Sequence, residues 1–148
     1  MRMRKKKNVD IRLARCGDVL VQEPTAQKGR WNTFFGNDNP IHLEIGCGKG
    51  RFILTLAQQN PHINYLAMER EEGALVMAAE KAAALSLPNL NFISFDAARL
   101  RDVFADQEIA RIYLNFSDPW PKNNQRKRRL THSNFLTLYD HILAPYGI

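Results

Sequence analysis

Residues 41–50, IHLEIGCGKG, constrain this chain more than any other stretch. A short apolar run, Ile41–Ile45, ends in glycines at 46, 48 and 50. RFILTLAQQ (51–59) then repeats apolar residues at helical spacing until Asn60-Pro61 stops it. A strand that turns on glycines into a helix opens a βαβ unit, because glycine lets the backbone turn sharply and approach a ligand closely. The alternation continues down the chain. INYLAM (63–68) reads as a second strand, and EEGALVMAAEKAAAL (71–85) as an alanine-rich helix with Glu71 and Glu72 in its first turn, which suits the helix dipole. Pro88 and Asn89 break that helix before a third strand, LNFISF (90–95). A short helix around 97–104 leads to a fourth strand, IARIYLNF (109–116), and a last helix is expected from Ser133 to Leu143, capped by Thr131 or Ser133. The fold class expected is α/β: a doubly wound, Rossmann-like, mostly parallel sheet covered on both faces.

The chain of 148 residues is one domain's worth, and no apolar run reaches the roughly 18 residues of a membrane span. Its first segment is basic but has no following apolar stretch, so it does not read as a secretory signal. Cys16 and Cys47 form no CxxC, and the four histidines lack metal-ligand spacing. A reducing cytoplasm and no metal are expected. The net charge of +6 is unevenly placed. Residues 1–15 carry seven basic residues and one acid, and residues 122–129 (KNNQRKRR) carry five basic residues and no acid. The remainder holds nine basic residues and fourteen acids. Two basic segments on an acidic body suit a polyanionic partner. Residues 1–39 are read as a basic arm plus an aromatic segment (Trp31, Phe34, Phe35) that lids the core, and residues 40–148 as the ligand-binding domain. The sequence is compatible with a monomer or a homodimer.

Charge also narrows the ligand. Glu69 closes the second strand, 23 residues after Gly46, where an acid can accept hydrogen bonds from the two ribose hydroxyls of an adenosine. A dinucleotide fingerprint needs its third glycine at position 51, which is Arg51, and its pyrophosphate would be repelled by Glu44. A triphosphate loop, GxxxxGK[ST], is absent. S-adenosyl-L-methionine carries an ammonium and a sulfonium instead, so Glu44, Glu69 and Asp96, at three successive strand ends, attract it.

The loop after the fourth strand is Asn115-Phe116-Ser117-Asp118-Pro119-Trp120-Pro121-Lys122, with two prolines to fix its course. The run NFSDPWPK with its basic continuation and RRL, together with MRMR at the start and KGRWNTFFGNDNPIHLEIGCGKG, resembles the bacterial tRNA (guanine-N7)-methyltransferases, class I S-adenosylmethionine-dependent enzymes, over essentially the whole chain. The resemblance implies cofactor binding by Glu44, Gly46, Gly48, Glu69, Asp96 and Asp118, with Asp118 also catalytic. It implies substrate contact at Lys122 and RNA contact at Asn124, Gln125, Arg126, Lys127, Arg128 and Arg129. The implied partner is tRNA, methylated at N7 of a variable-loop guanosine.

Guanine N7 is a bare acceptor with an in-plane lone pair, so its methylation needs no general base. Asp118 is accordingly read as an electrostatic and positioning group for the purine cation that forms. Trp120 could stack on the base or pack in the core. Family members continue through further strands with Lys-Thr-Asp-Asn-like and Thr-x-Tyr-Glu-like segments, whereas this sequence stops at Pro145-Tyr146-Gly147-Ile148, so a sheet lacking its last strands is expected. Two other readings stand beside the first. One is methylation of an exocyclic base amine, since DPWP resembles the Asp-Pro-Pro-aromatic loop of those enzymes with the proline and aromatic exchanged. The other is an RNA-binding module that keeps the cofactor fold without catalysing.

Overall fold

The computed structural model describes residues 8–114 and 133–144, with side chains described for 8–114 and 136–144. Its centre is a parallel sheet of β1 (Ile41–Ile45), β2 (Asn64–Met68), β3 (Leu90–Ile93) and β4 (Arg111–Tyr113), in the order β3-β2-β1-β4. The helices are α1 (Val9–Arg15), α2 (Trp31–Phe35), α3 (Arg51–Gln59), α4 (Glu72–Leu85), α5 (Leu100–Val103) and α6 (Ser133–Ile142). The strand order reverses direction between β1 and β4, as a doubly wound sheet requires.

Register decides which residues share a face. Leu43 lies opposite Leu66 on one side and Ile112 on the other, and this face packs on Trp31, Val103 and Phe104. The alternate residues, Tyr65, Ala67 and Phe92, face α1, α3 and α4 through Leu13, Ile53 and Ala79. Helices α3 and α4 therefore cover one face, and α5 and α6 the other. The apolar strand runs seen in the sequence are what a sheet buried on both faces demands.

Differences from the expected boundaries have local causes. Strand β2 begins at Asn64 because the Ile63 N–H closes a turn onto Asn60 O at 3.1 Å. Strand β3 ends at Ile93, after which the chain turns out to Asp96. Strand β4 is only three residues long; Ile109, expected within it, instead bridges in parallel to Leu143, its N–H reaching Ile142 O at 2.8 Å. Asn115 and Phe116, and Thr131 as cap, lie outside the described residues; Ser133 is the first residue of α6. Helix α4 starts one residue later than expected because Glu71 is its extended-backbone cap, its side chain accepting from Gly73 N–H at 3.2 Å.

The aromatic segment packs against the core, Trp31 within it and Phe34 and Phe35 partly buried. Trp31 is fully buried, its Nε1–H donates to Val103 O at 2.9 Å, and its ring lies 5.6 Å from that of Phe104. Glu108 fastens the segment from the other side by accepting from the N–H groups of Gly29 (2.9 Å), Trp31 (3.2 Å) and Ala105 (2.9 Å). Part of the basic arm is anchored too: Arg12, on α1, makes a bidentate ion pair with Glu80 on α4.

Candidate active site

The glycine loop leaves β1 at the carboxyl edge of the sheet, where ligands of doubly wound folds bind. Gly46, Gly48 and Gly50 all have positive φ (76°, 56° and 83°), a conformation that side-chain-bearing residues adopt only with strain. Gly50 is also a close approach, since a Cβ there would lie 2.7 Å from Ala78 Cβ. The loop is tied to the end of β2 by Gly46 N–H and Cys47 N–H, which both donate to Met68 O (2.8 and 3.2 Å).

Three of the predicted acids gather at this edge. Glu44, the penultimate residue of β1, is wholly buried beneath the loop. Glu69 follows β2; its Oε1 accepts from Gly48 N–H at 2.9 Å and its Oε2 from Glu71 N–H at 2.9 Å. Asp96 follows β3, and its Oδ1 accepts from Ala98 N–H at 3.0 Å. Glu69 N–H pairs with Ile93 O at 3.0 Å, so the ends of β2 and β3 are fixed side by side. Tyr113, at the end of β4, lies in register with Glu44. Asp118, Trp120, Lys122 and Asn124 to Arg129 lie outside the described residues.

This arrangement distinguishes between adenosine ligands. In a phosphate cradle the loop N–H groups point at the anion. Here the Gly48 N–H is already taken by a carboxylate. A carboxylate offers about four acceptor positions, so Glu69 retains capacity for hydroxyl donors after its two backbone bonds. An acceptor-rich, anionic shelf suits a cationic adenosine compound and disfavours a pyrophosphate. The thiol of Cys47 is fully buried in the loop, and burial, reinforced by Glu69 and Glu44, pushes its pKa far upward. It is no nucleophile.

A family model described as "Putative methyltransferase" matches residues 38–148. The tRNA (guanine-N(7)-)-methyltransferase of Bacillus subtilis strain 168 is 48% identical over 147 residues, covering 99% of this chain and 69% of that protein. Its namesake from Clostridioides difficile strain 630 is 50% identical over 148 residues, covering 99% and 69%. The chain belongs to this methyltransferase family. Solved methyltransferases share its fold at low identity. The 16S rRNA methyltransferase KamB superposes with a TM-score of 0.62 at 21% identity, over 79% of this chain and 54% of that one. The Haemonchus contortus phosphoethanolamine N-methyltransferase 2, solved with S-adenosylhomocysteine, gives 0.58 at 16%, over 81% and 27%.

Three basic side chains to which the sequence analysis gives no role flank the loop. Lys49, Arg51 and Arg70 are exposed beside the glycine loop and the end of β2. Their place within GKGR and directly after Glu69 is legible in the sequence.

Proposed function

We propose that this chain transfers the methyl group of S-adenosyl-L-methionine to N7 of a guanosine in tRNA, in the variable loop. The observation that carries the reading is the carboxylate shelf, with Gly48 N–H held by Glu69, in a chain about half identical to proteins named for this reaction. When bound, the cofactor supplies an electrophilic methyl group on a sulfonium. Glu69 would accept from its ribose hydroxyls, and Glu44 and Asp96 would attract its cationic end and order its adenosine. Asp118 would face the purine as positive charge develops on it, stabilising that charge without taking a proton. Lys122 and residues 124–129 would hold the substrate. The first 39 residues would act as arm and lid to the domain from residue 40 onward. None of the described helices is long and apolar enough to cross a membrane. Among the described residues no cluster of potential metal ligands occurs. The work on tRNA would take place in the cytoplasm.

The test is incubation with bulk tRNA and methyl-labelled cofactor, followed by digestion to nucleosides. Label should appear in 7-methylguanosine. Label in an exocyclic-amine nucleoside, or tRNA binding without label, would overturn the proposal. Asp118→Asn should lower the single-turnover rate, and wild type should show no ascending general-base limb between roughly pH 6 and 8. A log-linear rise with pH that vanishes in the variant would make Asp118 a base.

A further inference from the structure

The charges at the carboxyl edge of the sheet are sorted by what they touch. The acids are engaged by backbone N–H groups or buried, although Asp96 is itself exposed. Glu69 accepts from the Gly48 and Glu71 N–H groups, Glu71 from Gly73 N–H, Asp96 from Ala98 N–H, and Glu44 is wholly buried. Lys49, Arg51 and Arg70 are exposed, and none makes an ion pair among the described residues. Glu72, half-buried in the first turn of α4, pairs with none of them either. Three other arginines are already committed: Arg12 to Glu80, Arg99 to Asp102 at 2.9 Å while lying over the Phe95 ring, and Arg101 to Asp106 at 3.8 Å. Arg15 and Arg30 are also exposed without an ion pair among the described residues, but lie on α1 and at the start of α2. Lys49 and Arg70 each follow one member of the Gly48–Glu69 hydrogen bond, so both chain positions flank that bond at this edge. Arg51 opens α3 two residues beyond Lys49.

We propose that Lys49, Arg51 and Arg70 form a cationic rim around the mouth of the cofactor shelf that grips phosphates of the tRNA backbone and seats the target nucleotide over it. This rests on the assignment of tRNA as substrate, and adds a contact on the sheet edge to the basic run at 122–129. An exposed cation without a carboxylate partner gives up no ion pair when it meets a phosphate. Each such contact also releases condensed counterions, which makes binding salt-dependent. The acids below, facing backbone N–H groups, stay available to a cationic cofactor.

The experiment measures affinity of the full chain for a labelled tRNA transcript by fluorescence anisotropy across a salt series, beside calorimetry with S-adenosylhomocysteine. Four proteins are compared: wild type; Lys49→Ala/Arg51→Ala/Arg70→Ala; the charge-retaining Lys49→Arg/Arg51→Lys/Arg70→Lys; and Lys81→Ala. Lys81 is an exposed lysine nine residues along α4 from Glu72, about 14 Å down the helix from that residue. Loss of three contacts should flatten the slope of log K against log salt by about 2 to 2.7 and weaken binding at least about tenfold near 0.1 M salt. The charge-retaining variant and Lys81→Ala should resemble wild type, and S-adenosylhomocysteine affinity should hold throughout. An unchanged slope in the triple alanine variant overturns the rim while leaving tRNA as the substrate. Equal losses in the charge-retaining variant or in Lys81→Ala also overturn it, by pointing to loop shape or to overall charge. If wild type binds no tRNA at any salt, the substrate assignment fails with it.

Discussion

Gly50 offers the most direct test of how the cofactor loop is built, because the structure separates two costs of replacing it. With φ at +83°, any L side chain there is strained, at about 1–2 kcal/mol. A methyl group would also sit 2.7 Å from Ala78 Cβ and 3.3 Å from Ala78 Cα, contacts that force α3 and α4 apart. Overpacking of that kind costs about 1–3 kcal/mol. Gly50→Ala should therefore lose about 2–5 kcal/mol, a large part of the roughly 5–15 kcal/mol that stabilises a domain. Gly36, which ends α2 with φ at +76°, has nothing within 4 Å of a built Cβ. Gly36→Ala should pay only the backbone cost of about 1–2 kcal/mol. Urea unfolding of both variants gives the difference. Ala78→Gly, itself costing about 1 kcal/mol in a helix, should relieve Gly50→Ala with a coupling energy of about 1–3 kcal/mol. If Gly50→Ala proves no worse than Gly36→Ala, or Ala78→Gly fails to rescue it, close approach of the two helices is not why residue 50 is glycine.

Two further outcomes follow from polar groups far from the loop. Asn89, buried, donates through Nδ2 to Ala57 O, Asn60 O and Ile63 O at 3.0–3.1 Å, satisfying carbonyls where α3 ends. Asn89→Ala should cost about 1–3 kcal/mol in urea unfolding with S-adenosylhomocysteine affinity unchanged, and a loss below about 0.5 kcal/mol would refute that role. The hydrogen bond from Arg12, then its charge, holds the Glu80 carboxyl below its usual range despite an opposing effect of desolvation. A depressed acid stabilises the fold above its unfolded pKa and loses that contribution as pH falls through the folded one. The stability gap between wild type and Glu80→Gln should thus be small and salt-sensitive at neutral pH and close as pH falls below the carboxylate range; a gap constant with pH would mean the charge is idle.

The parts of the fold written in local patterns were legible. Ile41–Ile45 and Arg51–Gln59 form the strand and helix expected of them, because an apolar run bounded by glycines and an amphipathic run stopped by Asn60-Pro61 need no distant partner. What could not be read depends on partners far apart in sequence. Glu108 clamps the N–H groups of Gly29 and Trp31, 79 and 77 residues away, and neither periodicity nor turn chemistry points to it. The ion pair of Arg12 and Glu80 spans 68 residues and converts part of an apparently loose basic arm into a docked helix. At the site, the acids at three strand ends were found from charge and spacing. Their engagement with backbone N–H groups was not, since that depends on how the loop closes on β2.

That closure bears on which ligands the proposed site would accept. Three glycines after a strand would serve a phosphate as readily as a sulfonium, and the sequence distinguishes them only through repulsion from nearby acids. In the folded chain the distinction is also one of donors: the Gly48 N–H has a carboxylate on it at 2.9 Å. A pyrophosphate would have to displace Glu69 from that N–H and leave its negative charge beside its own. A ligand whose hydroxyls donate to Glu69 leaves the bond intact. On the proposed reading, the same hydrogen bond would shape the loop, disfavour one class of adenosine compound and leave an acceptor for the other. It also makes a sharp expectation for Glu69→Ala: because loop geometry and hydroxyl recognition are lost together, S-adenosylhomocysteine affinity should fall by more than the roughly 1.5–3 kcal/mol of hydrogen bonds to a charged group alone. Calorimetry on that variant showing no loss would mean that Glu69 neither shapes the loop for binding nor accepts from the ligand.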